Sequence, residues 1–292
     1  MENIFRGTGP AIITPFKSDD LSVDFDALGN LLDFQISNGI DFAVALGTTA
    51  ETATLSHNER HQVYRFIKQK INKRIPLMVG FGGNNTAEVL SHIKSADFEG
   101  IDAILSVVPY YSKPSQEGIY QHFMAIAKAS PVPIMLYNVP SRCGINMEAE
   151  TTLRLAGDSD KFIGIKEASG DLEQIKQIIE NSRIGFEVLS GDDAVISDIS
   201  ALGGKGVISV MANAFPSEVI ELTSKSIQKK PEAESLQASY SELIGLLFVE
   251  GNPAGVKAIL HQKGMIDNAL RLPLCPVSDE VYQEIADKLK KM

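Results

Sequence analysis

Short apolar runs alternate with longer amphipathic stretches along most of the chain. The apolar runs are four or five residues long, as expected of parallel strands that are buried on both faces. They occupy residues 10–14, 42–46, 77–80, 103–107, 134–137, 162–166, 187–190 and 206–210. The amphipathic stretches between them lie at residues 26–38, 57–72, 86–98, 116–129 and 171–181. This alternation predicts a succession of βα units.

The number and spacing of these units predict a closed barrel. Successive strand centres are roughly 20 to 34 residues apart, about one βα unit each. Eight such units favour a (β/α)8 TIM barrel over an open sheet, because eight successive parallel strands can close on themselves. After residue 230 the pattern changes to helices alone, around residues 232–248, 253–262 and 278–291. We therefore expect an α/β catalytic barrel at residues 1–230 and a helical C-terminal extension, packed on the barrel, at residues 231–292.

Composition excludes several classes of function. The 292 residues include 37 acidic and 27 basic side chains, for a formal net charge of −10. Nucleic acid is an unexpected partner, because neutralising phosphates requires clustered lysine and arginine. No run of about 18 apolar residues predicts a membrane span. The first residues do not follow the pattern of a secretory signal, and two cysteines do not form a disulfide framework. We therefore expect a cytoplasmic enzyme.

The predicted fold selects candidate residues for chemistry. In a (β/α)8 barrel, the active site lies at the carboxyl ends of the strands. Residues with polar side chains or available backbone groups stand at or just after these ends in six of the eight units. They are Thr48, Thr49, Tyr110, Tyr111, Tyr137, Arg142, Lys166, Gly191, Asp192, Asp193, Ile208 and Ser209 with their backbone groups.

Lys166 is the most informative candidate. It ends the otherwise apolar strand Phe-Ile-Gly-Ile-Lys, so its amine is expected to project into the barrel mouth with poor access to water. Burial disfavours the ammonium form of a lysine, which leaves a nucleophilic amine suited to imine formation with a carbonyl substrate. The alternative is that Lys166 forms an ion pair with Glu167 or another acid at the rim.

Other residues at the predicted mouth have compatible chemistry. The Tyr137 hydroxyl can carry a proton to and from a carbinolamine, although a tyrosine at a strand end is also common at a polar–apolar boundary. Thr48 and Thr49 offer hydroxyl and backbone N–H groups to a carboxylate, or form a turn or helix N-cap. Arg142 can bind a carboxylate through two hydrogen bonds, or lie on the surface.

Metal and cofactor sites are not predicted. His57 and His61 are four residues apart, but the acid between them is one place late for a zinc-protease helix. Asp192 and Asp193 could coordinate Mg²⁺, yet no other carboxylate is placed to help. Neither the phosphate-loop motif nor the dinucleotide fingerprint occurs. We expect no metal and no organic cofactor.

Several motifs together resemble a known family. They are Gly-Thr-Gly-Pro-Ala-Ile-Ile-Thr-Pro-Phe at 7–16, Gly-Thr-Thr-Ala-Glu-Thr-Ala-Thr-Leu at 47–55, Val-Pro-Tyr-Tyr-Ser-Lys-Pro at 108–114, Tyr-Asn-Val-Pro-Ser-Arg-Cys-Gly at 137–144, Gly-Ile-Lys-Glu-Ala-Ser-Gly at 164–170, Ser-Gly-Asp-Asp at 190–193 and Arg-Leu-Pro-Leu at 271–274. With them the sequence resembles the dihydrodipicolinate synthase family, within the pyruvate-dependent class I aldolases and N-acetylneuraminate lyases. The resemblance covers nearly the whole chain.

The resemblance implies a lyase of lysine and diaminopimelate biosynthesis. It would condense pyruvate with L-aspartate-4-semialdehyde to give 4-hydroxy-tetrahydrodipicolinate. Lys166 would form the Schiff base with pyruvate, and Tyr137, Thr49 and Tyr111 would relay protons. Tyr111 would reach across a tight dimer interface into the neighbouring subunit's site, within a homotetramer made of two such dimers.

The resemblance also implies the substrate contacts. Thr48 and Thr49 would hold the pyruvate carboxylate, with Gly191 and the backbone of Ile208 completing the pocket. Arg142 would bind the carboxylate of the semialdehyde. This arginine distinguishes the family from N-acetylneuraminate lyases, which look similar but lack it in this loop.

The resemblance also implies a regulatory site, although two positions near it differ from those of lysine-sensitive members. Lysine-inhibited members bind lysine at the dimer interface, and the corresponding residues here are Ala53, His57, Asn84, Glu88 and Tyr110. Thr52 and Arg60 stand where sensitive members commonly have a serine and a second histidine. Since a cation at position 60 would repel bound lysine, feedback inhibition is left as an open hypothesis.

Two alternative functions are left open by the sequence. One is another pyruvate-dependent aldolase that acts on a sugar acid, as N-acetylneuraminate lyases do. The other is a non-catalytic relative that binds ligand without turnover.

Overall fold

The computed structural model describes residues 4–292 and contains a parallel sheet of eight strands with helices between them. The strands are β1 (Gly7–Pro10), β2 (Ala43–Ala45), β3 (Leu77–Gly80), β4 (Ala103–Val107), β5 (Ile134–Asn138), β6 (Phe162–Glu167), β7 (Glu187–Ser190) and β8 (Gly206–Ser209). They are short and almost entirely buried, because the helices cover one face and the barrel interior covers the other.

The sheet closes into a barrel at its first strand. β1 pairs with β8, and β8 through β2 follow in order around the sheet. Just after β1, the Ile12 amide donates a hydrogen bond of 2.9 Å to the Val44 carbonyl, which joins the chain to β2. The predicted (β/α)8 TIM barrel is therefore confirmed.

Nine helices in the described chain surround the barrel up to residue 230. They are α1 (Phe25–Ser37), α2 (His57–Ile71), α3 (Thr86–Ser95), α4 (Gln116–Ala129), α5 (Pro140–Cys143), α6 (Ala149–Asp158), α7 (Leu172–Asn181), α8 (Ile196–Leu202) and α9 (Pro216–Ile227). α2 begins with a capping box: the Ser56 hydroxyl accepts from the Glu59 amide, and the Glu59 carboxylate accepts from the Ser56 amide.

The first strand lies earlier than the sequence pattern predicts. We predicted residues 10–14, whereas β1 is Gly7–Pro10. Its sequence, Gly-Thr-Gly-Pro, lacks the branched apolar residues that mark the other strands. Glycine is required at Gly9, because a Cβ there would lie 2.1 Å from the ring of Phe42. Packing against Phe42, and not intrinsic strand preference, determines this element.

The helices after residue 230 pack against the barrel. They are α10 (Glu232–Ser239), α11 (Ser241–Phe248), α12 (Ala254–Gln262) and α13 (Asp279–Leu289). The predicted helix at 232–248 is thus divided at Tyr240. Leu243, Leu247 and Ile259 belong to one hydrophobic cluster with Leu28 and Val63 of the barrel's helical layer. None of the described helices is both long enough and apolar enough to cross a membrane.

Candidate active site

A cavity of about 800 Å³ opens at the carboxyl ends of the strands. It brings together six of the residues that the sequence predicted for the site: Thr48, Thr49, Tyr137, Arg142, Lys166 and Gly191. These residues come from four different strand ends and lie up to 143 positions apart in the chain (191 − 48). The barrel mouth is therefore the candidate active site.

Lys166 and Tyr137 form the centre of this cavity. They are paired residues of neighbouring strands β6 and β5, so their side chains leave the sheet side by side. The Lys166 Nζ lies over the Tyr137 ring, 4.2 Å from its centroid, and both residues are buried. A cation in this position is attracted by the face of the ring. The amine and the phenol therefore share one water-poor pocket, as predicted.

Glu167 does not pair with Lys166. Successive side chains of a strand point to opposite faces, and the Glu167 carboxylate lies on the side away from the cavity. It accepts hydrogen bonds from the Asn138 and Gln174 amides and from the backbone N–H of Ser169. Burial raises the pKa of Glu167 above its usual value, although these bonds oppose the shift. The alternative in which Glu167 neutralises Lys166 is therefore wrong.

Gly191 leaves room for the lysine. A Cβ at this position would lie 3.0 Å from Cγ and Cε of Lys166 and 2.8 Å from Cβ of Ala168. Both distances are shorter than normal contacts between carbon atoms. Any side chain at Gly191 would displace the lysine from its position beside Tyr137.

The loop after β2 supplies the two threonine hydroxyls. It forms a single 3₁₀ turn at Thr48–Ala50, and Glu51, at its end, has the left-handed φ of 53°. The Thr14 hydroxyl donates to the Ala50 carbonyl, 2.8 Å away, which fixes the turn against the segment after β1. Thr49 is buried at the base of the cavity.

Asn252 is a site residue that the sequence analysis missed. Its Nδ2 donates a hydrogen bond of 3.0 Å to Thr49 Oγ1, across 203 positions of the chain. Asn252 lies between α11 and α12, so the C-terminal extension contributes directly to the cavity wall. A local signal existed: Gly-Asn-Pro interrupts an apolar helical region with a polar turn.

A buried ion pair also holds the loop after β2 in position. Lys257, in α12, and Glu51 are both completely buried and contact each other through Nζ and Oε1. The Lys257 Nζ also donates to the Ala269 carbonyl at 2.9 Å and lies over the ring of Phe16. Burial lowers the pKa of Lys257 to about 8, while the Glu51 carboxylate opposes this shift. The sequence analysis missed this pair as well.

Arg142 reaches the cavity from the one-turn helix α5. The next residue, Cys143, is buried, and its Sγ lies 3.4 Å from the Val108 carbonyl oxygen. Burial raises the pKa of the Cys143 thiol to about 11, so it stays protonated and unreactive. Arg142 is therefore held at the mouth by a buried neighbour while its own side chain remains exposed.

Two predicted residues lie elsewhere. Tyr111 is 88% exposed, and its φ of 71° is unusual for a residue with a large side chain. Its amide donates to the Cys143 carbonyl at 3.3 Å, and its side chain is not part of the cavity lining. Ile208 is buried within β8, and the β8 end contributes Val210 to the cavity lining.

Asp193 is an internal hydrogen-bond acceptor. Its buried carboxylate accepts from the Ser209 hydroxyl and from the amides of Val210 and Met211 at 3.0 and 2.9 Å. Burial raises its pKa above the usual value. These bonds join the end of β7 to the end of β8. Within residues 4–292, no three His, Cys, Asp or Glu side chains are grouped as a metal site.

A second cavity, of about 400 Å³, adjoins the first. Of the residues assigned to a regulatory site, Ala53, His57 and Tyr110 line it. Asn84 and Glu88 are exposed nearby and are not part of its lining. The two cavities share Thr48, Tyr137, Arg142 and Asn252 as common wall residues.

Comparisons with known proteins agree with this architecture. The model of the dihydrodipicolinate synthetase family matches residues 4–292. A 4-hydroxy-tetrahydrodipicolinate synthase of Parabacteroides distasonis is 50% identical over 288 residues, which cover 98% of this chain and 97% of that protein.

Solved structures of dihydrodipicolinate synthases have the same fold as this chain. The chloride-inhibited dihydrodipicolinate synthase from Acinetobacter baumannii, complexed with pyruvate, has a TM-score of 0.94 and 40% identity, covering 98% of both chains. A monomeric dihydrodipicolinate synthase variant has a TM-score of 0.95 and 38% identity, covering 99% of this chain and 97% of that one.

Proposed function

The chain belongs to the dihydrodipicolinate synthetase family, and from this premise we propose that its barrel mouth condenses pyruvate with L-aspartate-4-semialdehyde through an imine on Lys166. The product is 4-hydroxy-tetrahydrodipicolinate, an intermediate of lysine and diaminopimelate biosynthesis. The observation that carries the mechanism is the buried Lys166 amine beside Tyr137. The pyruvate complex of the Acinetobacter relative supports pyruvate as the first substrate.

The first step is imine formation. The Lys166 amine adds to the pyruvate ketone through its nitrogen lone pair and, after proton transfer to the oxygen, gives a carbinolamine. Its hydroxyl leaves as water after it takes a proton from Tyr137, and the C=N bond forms. Thr48 and Thr49 hold the pyruvate carboxylate, so that the ketone faces Lys166. The imine then serves as the electron sink, and this step needs no metal or organic cofactor.

Asn252 sets the direction of the proton relay in this proposal. The Thr49 oxygen accepts a hydrogen bond from the Asn252 amide. The Thr49 proton is then available for the Tyr137 oxygen, which needs a donor after it has given up its own proton. Tyr111 of a neighbouring subunit connects this relay to solvent.

The second step forms the carbon–carbon bond. Tyr137, which gave up its proton in the first step, takes a proton from the methyl group and so converts the protonated imine into an enamine. The enamine carbon attacks the aldehyde of the semialdehyde, and the aldehyde oxygen takes that proton back from Tyr137. The amino group of the new chain then displaces Lys166 by transimination, which closes the ring and frees the lysine. Arg142 binds the carboxylate of the semialdehyde and orients its aldehyde toward the enamine.

The substrate assignment is tested by offering two aldehydes to the pyruvate-loaded enzyme. We expect turnover with L-aspartate-4-semialdehyde and little or none with N-acetylmannosamine, the acceptor that yields N-acetylneuraminate. Preference for the sugar would identify a sugar-acid aldolase. Pyruvate binding without turnover of either aldehyde would identify a non-catalytic relative.

Replacing Arg142 by alanine is expected to weaken semialdehyde binding selectively. A hydrogen bond to a charged group contributes about 1.5–3 kcal/mol, so KM for the semialdehyde should rise about 10- to 150-fold. Imine formation with pyruvate should change little, because Lys166 and Tyr137 are untouched. Steady-state kinetics with each substrate varied in turn measures both effects. Arg154→Ala, which removes an exposed arginine paired with Glu117, is the control.

We also propose a cytoplasmic homotetramer made of two tight dimers. The exposed ring and left-handed backbone of Tyr111 support it, because a partner subunit would cover this side chain. Residues 231–292 act as part of the catalytic unit, since Asn252 and Lys257 contact the Thr48–Ala50 turn and Glu51.

The partner's contribution is tested with mixed dimers. One subunit carries Tyr111→Phe and the other Lys166→Ala, and the heterodimer is purified through two different tags. If Tyr111 acts in the neighbouring subunit, one of the two sites has an intact Lys166 and an intact Tyr111. Such dimers should regain about half of wild-type activity. Activity no higher than that of the Tyr111→Phe homodimer would show that Tyr111 acts within its own subunit or has no role.

A further inference from the structure

Four polar side chains form a closed hydrogen-bond network behind the active site. Asn138 Nδ2 donates to both carboxylate oxygens of Glu167, at 3.1 and 3.2 Å, and to Oδ1 of Asn146 at 2.8 Å. Asn146 Nδ2 donates to Oε1 of Gln174 at 2.7 Å, and Gln174 Nε2 donates back to the Glu167 carboxylate at 3.3 Å. We refer to Asn138, Asn146, Glu167 and Gln174 as the Glu167 network. A network in which each member has a partner is rigid.

The Glu167 network lies directly behind the catalytic pair Tyr137 and Lys166. Asn138 and Glu167 are paired across β5 and β6, one position beyond the catalytic pair. Successive side chains of a strand point to opposite faces, so the second pair faces the surrounding helices while the catalytic pair faces the cavity. None of the four network residues lines the cavity. The network therefore acts on bound substrates only through the residues in front of it.

The Glu167 carboxylate decides how the Asn138 amide is oriented. The groups that contact this carboxylate, namely the side-chain amides of Asn138 and Gln174 and the backbone of Ser169, are N–H donors, so its oxygens act as acceptors. The nitrogen end of the Asn138 amide must then face Glu167. The oxygen end is left for the loop after β5, where it accepts a hydrogen bond of 3.0 Å from the Met147 backbone N–H.

Asn138 thereby closes the loop that carries Arg142. The chain leaves β5 after Asn138 and returns to its side chain at Met147, nine positions later. We refer to residues 139–146 between them as the Arg142 loop. It contributes Val139, Ser141 and Arg142 to the cavity wall. Within residues 4–292 the Arg142 guanidinium has no hydrogen-bond or ion-pair partner, so its place depends on the backbone of this loop.

We propose that Asn138, oriented by Glu167, is a positioning residue that holds the Arg142 loop in a fixed place relative to Lys166. The inference rests on the proposed condensation, in which Lys166 carries the pyruvate imine and Arg142 binds the semialdehyde. One side chain contacts both the end of the Lys166 strand and the end of the Arg142 loop, so the two substrates are held in a common frame. Carbon–carbon bond formation requires such a frame, because a misplacement of about 1 Å can lower a rate about 100-fold.

Replacing Asn138 by alanine removes the contact between strand and loop. We expect kcat/KM for the semialdehyde to fall about 10- to 100-fold, because Arg142 no longer aligns the aldehyde with the enamine. KM for pyruvate and the yield of the borohydride-trapped adduct should change little, since the β5–β6 ladder still holds Tyr137 beside Lys166. Steady-state kinetics with each substrate varied in turn measures this difference. An equal loss for both substrates would contradict the proposal.

A double-mutant cycle with Arg142→Ala distinguishes positioning from general damage. If Asn138 acts through Arg142, Asn138→Ala should lower kcat/KM of the Arg142→Ala protein by less than about twofold. Asn213→Ala is the control: Asn213 is equally buried and bonds the Ile13 amide and the Ala11 carbonyl instead. Its effect should be the same with and without Arg142. An undiminished effect of Asn138→Ala in the Arg142→Ala protein would overturn the proposal.

Exchanging donor and acceptor tests the part played by Glu167. Asn138→Asp places two carboxylates in contact and should be at least as damaging as Asn138→Ala. In Asn138→Asp/Glu167→Gln, an amide again faces a carboxylate in side chains of unchanged size. This double variant should be about tenfold more active with the semialdehyde than Asn138→Asp, a typical coupling within one network. A double variant no more active than Asn138→Asp would show that Glu167 does not orient Asn138.

Hydrogen exchange, read by mass spectrometry, tests the loop contact without any substrate. In Asn138→Ala the Met147 amide and the Arg142 loop should exchange at least about tenfold faster than in the wild type, because the bond that closes the loop is gone. Exchange in β1 should not change, which also shows that the variant is folded. Unchanged exchange at Met147 would refute the contact, whichever aldehyde the enzyme uses. Failure of the wild type to use the semialdehyde would instead refute the proposed reaction.

Discussion

Replacing Lys166 by alanine is expected to lower kcat by about 10⁴-fold or more, the largest effect of any single change in the active site. Removal of the nucleophile leaves no amine to form the imine, so the electron sink for both later steps is lost. Folding should be little affected, because Lys166 forms no ion pair within residues 4–292, and the adjacent Glu167 is bound on the opposite face of β6.

Borohydride trapping measures this effect chemically. Wild-type protein reduced in the presence of pyruvate should carry one covalent pyruvate adduct, located at Lys166 by peptide mass analysis, and Lys166→Ala should carry none. Lys161→Ala removes a lysine that immediately precedes the same strand and should behave as wild type. A pyruvate adduct on a different lysine, or full turnover by Lys166→Ala, would disprove the proposed nucleophile.

Replacing Lys257 by methionine is expected to destabilise the protein by about 3–5 kcal/mol. The change keeps the length of the side chain but leaves the completely buried Glu51 carboxylate without its cation. At about 2–4 °C per kcal/mol, the melting temperature should fall by roughly 6–20 °C. Because Glu51 ends the Thr48–Ala50 turn, kcat should fall too, as Thr49 loses its fixed position.

The matched control is Lys263→Met. Lys263 also donates to a carbonyl, that of Ala214, and lies over an aromatic ring, that of Phe215 at 4.1 Å. No carboxylate contacts it within the salt-bridge distance in the described chain, so its loss leaves no bare buried charge. Thermal unfolding of both variants gives the comparison. A Lys257→Met protein no less stable than Lys263→Met would contradict the argument.

The single variant Glu51→Gln and the double variant Glu51→Gln/Lys257→Met complete a double-mutant cycle with Lys257→Met. Removal of both charges eliminates the uncompensated carboxylate, so much of the lost stability should return. Activity is not expected to return with it, because the polar contacts that orient the turn are still missing. Recovery of stability without recovery of activity would show that the Glu51–Lys257 pair positions the Thr48–Ala50 turn.

Most of the fold could be predicted from the sequence, because the pattern of apolar and polar residues that marks each element lies within that element. The apolar runs at β3, β4 and β7 match the observed bounds, since each run is buried on both faces and bordered by polar turns. The prediction failed at β1, where the ring of Phe42 requires Gly9 and the strand has no apolar pattern. α6, α8 and α9 were not predicted, because their apolar residues are diluted by serine, threonine and glycine.

Some residues of the candidate site could likewise be predicted from the sequence, and others could not. Lys166, Tyr137, Thr48 and Thr49 could be identified because each stands at the end of its own strand, and barrel geometry sends all strand ends to one mouth. Asn252 and Lys257 could not, because their partners Thr49 and Glu51 are about two hundred positions away. No periodicity within a segment records such a pairing.

The sequence by itself therefore determined the barrel, its family and the lysine at its centre. These follow from the alternation of apolar and polar residues and from contiguous motifs, both of which are properties of neighbouring positions. Only the tertiary structure decided that Glu167 turns away from Lys166, that Asn252 holds Thr49, and that Asn138 closes the Arg142 loop. Those contacts depend on which distant segments the closed barrel brings together, because burial obliges each polar group to find a partner in space, wherever that partner lies in the chain.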